Sequence, residues 1–223
     1  MDVYALLSGG MDSATLIWYL KSLGYKPHGV LFDYGQRHKK ELGYARDIAD
    51  LASIGYLQID LSSYGLFLQG NSQTDRRVAV PEGHYAADTM KQTVVPNRNM
   101  VMLTIAAGIA LSRGVETLAF GAHAGDHAIY PDCREEFVTS LEQTIQLATG
   151  ATTFDVLAPF VRMTKTEIAQ IGAKLGVPFE RTWSCYKGNT LHCGKCGTCV
   201  ERQESFRDAG LEDPTLYEME LEG

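Results

Sequence analysis

The hexapeptide Ser8-Gly9-Gly10-Met11-Asp12-Ser13 follows directly on the apolar run Val3 to Leu7. A glycine pair that ends a strand and opens a helix lets successive backbone N–H groups converge on an anion at the helix N-terminus. Gly9 and Gly10 remove the Cβ atoms that would block the approach, and Ser8 and Ser13 add hydroxyl donors. Asp12 can hold a magnesium ion that bridges phosphate oxygens. The loop lacks the Gly-Lys-Ser/Thr ending of a Walker A motif, which disfavours γ-phosphate transfer of that type. A plain glycine turn whose serine merely caps the helix is the alternative reading.

A second group with chemistry is Cys185, Cys193, Cys196 and Cys199, four of the five cysteines in one short segment. Four thiolates complete a tetrahedral zinc site and leave no position open, so the expected zinc is structural and folds a tail too small to bury its own core. An iron–sulfur cluster and four free thiols are the competing readings. Gly194 and Gly197 relieve crowding around the ion, His192 is surplus to four cysteines and is expected at the surface, and Cys133 stands apart.

These residues need a scaffold. Val3 to Leu7, His28 to Phe32, Tyr56 to Leu61, Thr117 to Gly121 and Phe154 to Leu157 read as strands. Ala14 to Leu23, Lys39 to Ala52, Met100 to Ser112, Glu135 to Leu147 and Thr164 to Leu175 read as helices, the last opened by a capping box of Thr164 with Glu167. Such alternation implies an α/β fold, a parallel twisted sheet with helices on both faces. Residues 1–181 are expected to form this body, 62–98 a substrate-side excursion from it, and 182–223 a cysteine-rich tail with a C-terminal helix. Asp33 and Gln36 follow the second strand, at the carboxyl edge where ligands of open α/β sheets collect, and Gly121 ends a later strand where adenosine can approach closely.

At 223 residues and with a net charge of −7 the chain fits one ordinary domain and lacks the clustered Lys and Arg of an extended nucleic-acid surface, so a small substrate is expected. No window approaches the roughly 20 uninterrupted apolar residues of a membrane span. The start Met1 to Leu7 has none of the features of a secretory signal, so a cytoplasmic location is expected.

The Ser8 to Ser13 hexapeptide resembles the signature of the PP-loop ATP pyrophosphatases, with an adenine nucleotide alpha hydrolase-like, Rossmann-like fold. Phe32 to His38, Val95 to Asn99 and Tyr130 to Arg134, taken with that loop and the cysteines, are similar to the 7-cyano-7-deazaguanine synthase family. The resemblance runs in matching order from Tyr4 to about Gly210. It implies an ATP-dependent carbon–nitrogen ligase that turns 7-carboxy-7-deazaguanine and ammonia into the nitrile, with release of AMP and pyrophosphate, in a homodimer. It implies ATP contacts from Leu7, Ser8, Gly9, Gly10, Met11, Asp12, Ser13, Asp33 and Gly121. It also implies substrate contacts from Gln36, Asn97, Arg98, Tyr130, Asp132 and Arg134, with Asp132 pairing the guanine-like ring and Tyr130 stacking on it.

Two adenylations need a fixed pyrophosphate leaving group and cations at the α-phosphate, for which Lys165 and Arg98 join Asp12 as the expected catalytic residues. Lys165 as a solvated first-turn residue and Arg98 in a structural ion pair are the bland readings of each. Asn97 and Asn99 can instead cap the helix that follows. Asp126 with His123 and His127 could make a second metal site, although loop histidines are more often solvated or capping. The same activated carboxylate could stop at the amide or pass to another amine, such as one on a protein. Modification of transfer RNA is a more distant alternative, and a zinc-bearing interaction module a non-enzymatic one.

Overall fold

Short apolar strands alternate with helices of three to four turns, and the chain closes into a parallel sheet. The computed structural model describes residues 1–85 and 88–218; positions 86, 87 and 219–223, which fall in the expected excursion and tail, lie outside the described residues. In chain order the elements are β1 (Asp2–Leu6), α1 (Met11–Ser22), β2 (Lys26–Asp33), α2 (Glu41–Leu51), β3 (Tyr56–Asp60) and α3 (Ser62–Gly65). They continue with α4 (Arg98–Ser112), β4 (Thr117–Ala119), α5 (Glu135–Thr149), β5 (Asp155–Leu157), α6 (Lys165–Leu175) and α7 (Gly197–Asp208).

The sheet order is β3-β2-β1-β4-β5, with every neighbouring pair parallel. Side-chain alternation along β1 divides the core in two. Val3, Ala5 and Leu7 join α1, α2 and α6 on one face, whereas Tyr4 joins Leu103, Leu118, Leu141 and Phe154 beneath α4 and α5 on the other. The expected α/β architecture with helices on both faces is therefore the one observed. The order reverses between β1 and β4, so the carboxyl ends of these two strands flank the crevice in which open α/β sheets bind ligands.

The expected element positions hold, with small shifts at their ends. α1 begins at Met11 rather than Ala14, so the second half of the glycine loop forms the first helical turn. α6 is opened by the capping box between Thr164 and Glu167. Asn97 occupies the N-cap position of α4, but neither Asn97 nor Asn99 makes the side-chain cap bond that the alternative reading of this pair called for. Asn97 precedes the helix at φ 60° with its side chain making no cap bond, and Asn99 turns its amide toward Arg98 and Cys133.

The tail packs onto the body. Trp183 N donates to Gly9 O at 2.8 Å, Phe206 of α7 stacks edge-on against Phe179 beside α6, and Arg202 is fully buried. Arg202 binds Asp213 Oδ1 at 3.0 Å, Thr182 Oγ1 at 2.7 Å and Phe179 O at 3.0 Å, so its charge is matched by an acid and its donors by acceptors. The excursion closes over the same region, with Gly83 N donating to Lys195 O and Met90 filling the space a Cβ on Gly197 would need.

Candidate active site and metal centre

Gly10 caps α1 without a side-chain hydrogen bond, which leaves the first-turn N–H groups of the helix free for an incoming anion. The loop before it is braced internally. Ser13 Oγ accepts from Ser8 N at 3.2 Å, donates to Gly10 O at 3.0 Å and lies 3.1 Å from Ser8 Oγ. Gly9 adopts φ +86°, and a Cβ there would sit 2.5 Å from Glu41 O and 2.7 Å from Ala45 N at the start of α2. Gly9 thus shapes the loop from behind, while Gly10 faces the cleft.

Asp12, on the first turn of α1, meets Lys165, on the first turn of α6. Lys165 Nζ lies 3.1 Å from Asp12 Oδ2 and 2.8 Å from Glu201 Oε2. Burial would lower the ammonium's pKa, but the two carboxylates outweigh it and hold it above the usual lysine range, so Lys165 stays cationic. Burial would likewise raise Asp12, and the opposing pull of Lys165 and His123 keeps its carboxyl below the ordinary value. Asp12 Oδ1 is buried without a hydrogen-bond partner. An ionised carboxylate with one unused oxygen beside a phosphate-sized loop fits a hard divalent cation.

The same cleft, at the sheet's switch point, is lined by Leu7, Ser8, Gly10, Met11, Ser13, Arg98 and Gly121 from the expected set, together with Phe120 and Ala122. Gly121 passes α1 so closely that a Cβ would lie 3.4 Å from the Asp12 carbonyl carbon. Arg98 stands 5.9 Å from the centroid of the Tyr34 ring, with Nε donating to Asn99 Oδ1 at 3.2 Å. Burial pushes Tyr34 up to about 12, and burial likewise raises Tyr186, so both phenols remain neutral donors beside the guanidinium.

Other expected residues are turned into the framework around the cleft. Asp33 accepts from Gly35 N and Lys39, and Gln36 ties Tyr34 N, Phe32 O and Glu41 together below the loop. Tyr130 is buried with its hydroxyl on Thr93, Asp132 receives Asn99 N at 3.4 Å, and Arg134 donates to His127 O. Asn97 serves as a left-handed hinge into α4.

Several cleft residues escaped the sequence reading. Tyr34 lies inside the quoted Phe32 to His38 segment but gave no separate signal, and Tyr186, Trp183, Ser184 and Thr198 reach the cleft only because the tail folds back. His123, expected to be solvated or capping, is buried between Asp12 (3.8 Å) and Asp126 (3.4 Å), with Tyr85 donating to Asp126 at 3.0 Å. The burial has a simple cause: the β4 exit runs under α1, and Ala124 N is pinned to Met163 O.

The four cysteine sulfurs lie within 4.8 Å of one another, all buried. Their separations of 4.0 Å (Cys193–Cys199), 4.0 Å (Cys185–Cys196) and 3.4 Å (Cys196–Cys199) are near the edge of about 3.8 Å that a tetrahedral site with Zn–S bonds of about 2.3 Å requires. Cys193 Sγ also accepts from Lys195 N and Cys196 N, and Gly194 takes φ +69° in that turn. These residues fit a four-coordinate metal. His192 corrects an expectation: it is 5% exposed rather than at the surface, because Trp183 stacks on it at 4.2 Å and Ser184 N donates to its Nε2. Burial pushes it down to about 4, which keeps it a neutral acceptor.

Comparison with known proteins matches this architecture over its whole length. The 7-cyano-7-deazaguanine synthase of Caldicellulosiruptor bescii is 48% identical over 222 residues, covering 100% of each chain. That of Archaeoglobus fulgidus is 44% identical over 220 residues, 99% of this chain and 92% of the other. In fold alone, the U34-tRNA thiolase NcsA from Methanococcus maripaludis, solved with its 4Fe-4S cluster, aligns at TM-score 0.51 and 11% identity over 94% of this chain and 67% of that one. The family model described as queuosine biosynthesis protein QueC matches residues 2–210, and the chain belongs to that family.

Proposed function

We propose that the protein is a 7-cyano-7-deazaguanine synthase, an AMP- and pyrophosphate-forming ligase that acts on 7-carboxy-7-deazaguanine, ammonia and ATP. The observation that carries the reading is the Asp12–Lys165 pair beside an uncapped helix N-terminus, in a chain 48% identical end to end to a synthase of that name. A carboxylate repels nucleophiles and has no good leaving group. Transfer of AMP to it supplies both an electrophile and a leaving group. Ammonia displaces AMP to give the amide, and a second adenylation on the amide oxygen lets AMP depart as the nitrile forms.

Each adenylation builds negative charge at the α-phosphate and on the departing pyrophosphate. The free N–H groups of the α1 first turn suit the pyrophosphate, with Ser8 and Ser13 bracing the loop that presents them, and Lys165, kept cationic, suits the α-phosphate. A magnesium ion on Asp12 would neutralise phosphate charge. Arg98, Tyr34 and Tyr186 together offer a cation and flat aromatic surfaces to the planar deazaguanine and its carboxylate. Cys185, Cys193, Cys196 and Cys199 would hold a zinc ion with no open position, which would fix the tail against the cleft.

A cytoplasmic homodimer with no nucleic-acid partner completes the proposal. The charge of −7 supports the last element, and no helix among the described residues is long and apolar enough to cross a membrane. Mass spectrometry after incubation with 7-carboxy-7-deazaguanine, ATP, magnesium and ammonium tests the reading. The expected product is the nitrile, with two AMP and two pyrophosphate per molecule; amide as the sole end product would defeat it.

A further inference from the structure

The Lys165 ammonium donates to Glu201 Oε2 at 2.8 Å and pairs with Asp12 Oδ2 at 3.1 Å, so carboxylates from two different helices hold it. Asp12 belongs to the glycine loop's own helix. Glu201 comes from the second turn of α7, two residues beyond the cysteine Cys199, and reaches Lys165 because α7 packs along α6. The Glu201 side chain is 11% exposed and lies against Gly125, where an added Cβ would sit 3.3 Å from its Oε1. An acid so enclosed is costly unless it has a fixed partner, and Lys165 at 2.8 Å is that partner.

We infer that Glu201 is the positioning residue for Lys165, a link through which the metal-bearing tail sets the orientation of the cation that acts on ATP. The inference rests on the proposed adenylation. With the ammonium held by the Glu201 hydrogen bond and the Asp12 ion pair, its position is restricted and a remaining N–H is left for an incoming anion. Without Glu201 the flexible lysine stem relaxes toward Asp12 alone, and the ammonium then pairs with the loop in the ground state instead of with the phosphate. Such a loss falls on the chemical step more than on nucleotide binding, which the loop's backbone still provides.

Substrate-dependent ATP–pyrophosphate exchange isolates this step. Wild-type protein, Glu201→Gln and Glu201→Ala are compared at saturating 7-carboxy-7-deazaguanine, with zinc content and melting temperature measured on the same samples. In Glu201→Ala, kcat of exchange should fall by about 10- to 100-fold with KM for ATP within about twofold of wild type, as expected for a misplaced catalytic group. Glu201→Gln, which keeps the acceptor and the shape, should recover part of that loss. Zinc content should be unchanged in both. Exchange at the wild-type rate in Glu201→Ala, a rise in KM with kcat unchanged, or loss of activity in step with loss of zinc would each overturn the inference. Absence of exchange in the wild-type protein would instead defeat the proposed adenylation.

Discussion

Lys165 Nζ and Asp12 Oδ2 lie 3.1 Å apart and join the first turns of two helices separated by more than half of the chain. Both helices present their N-terminal ends there, so the pair lies in a field that favours anions. Lys165→Ala should lower kcat for AMP formation by about 100- to 1000-fold, the usual cost of removing one group that meets transition-state charge. Asp12→Asn keeps the shape and should retain the fold while losing AMP formation. Steady-state release of AMP and pyrophosphate, with circular dichroism on the same samples, checks both.

Gly9 and Gly10 should differ sharply on substitution by alanine. At Gly9 the φ of +86° alone disfavours an L side chain by about 1–2 kcal/mol, and the new Cβ would collide with the α2 backbone. Gly10 has ordinary dihedrals and its nearest neighbours are at 3.5 and 3.6 Å. Gly9→Ala should therefore lower the melting temperature by several degrees, at about 2–4 °C per kcal/mol for a chain of this size. Gly10→Ala should melt within about 2 °C of wild type and lose ATP affinity only, because its Cβ enters the cleft. Thermal melts and nucleotide titrations read the two effects separately.

Sheet, helices and phosphate loop were legible because each depends on local signals: apolar runs of strand length, the Thr164–Glu167 capping box, and glycines before a helix. The cysteine cluster was legible for the same reason, since its four ligands fall within one short segment. What was missed is long-range. Nothing around Glu201 announces that α7 will lie beside Lys165, and nothing around Tyr186 or Trp183 reveals that the tail returns to the glycine loop. His192 and His123 were misjudged because a histidine in a polar loop gives no hint of which face another segment will cover.

Loss of the metal should propagate to the cleft. The cysteines fix the segment whose Trp183 N binds Gly9 O and whose Ser184, Tyr186 and Thr198 line the site. Cys193→Ser removes the sulfur that also accepts from Lys195 N and Cys196 N. Its metal affinity should fall by at least about 10- to 100-fold, because even outer-shell changes cost that much. Metal analysis should show less than one ion per chain, and AMP formation should fall in proportion to the metal lost.

Stability of the tail should depend on pH through Asp213. Burial would raise its carboxyl, but Arg202 at 3.0 Å, with hydrogen bonds from Tyr217 and Thr215, outweighs burial and holds it below the usual aspartate value. A group depressed in the folded state contributes stability that is present above its unfolded value of about 3.9 and is lost as pH falls through the folded value. Asp213→Asn should thus cost about 2 kcal/mol at pH 7, the scale of a hydrogen bond to a charged group. The cost should be undiminished at pH 5, because the unfolded carboxyl is still ionised there, and should shrink as pH drops below about 4. Every other titrating group is common to wild type and variant, so the difference between their urea midpoints isolates Asp213. A gap that widened toward acid pH would mean that Asp213 is protonated in the folded protein.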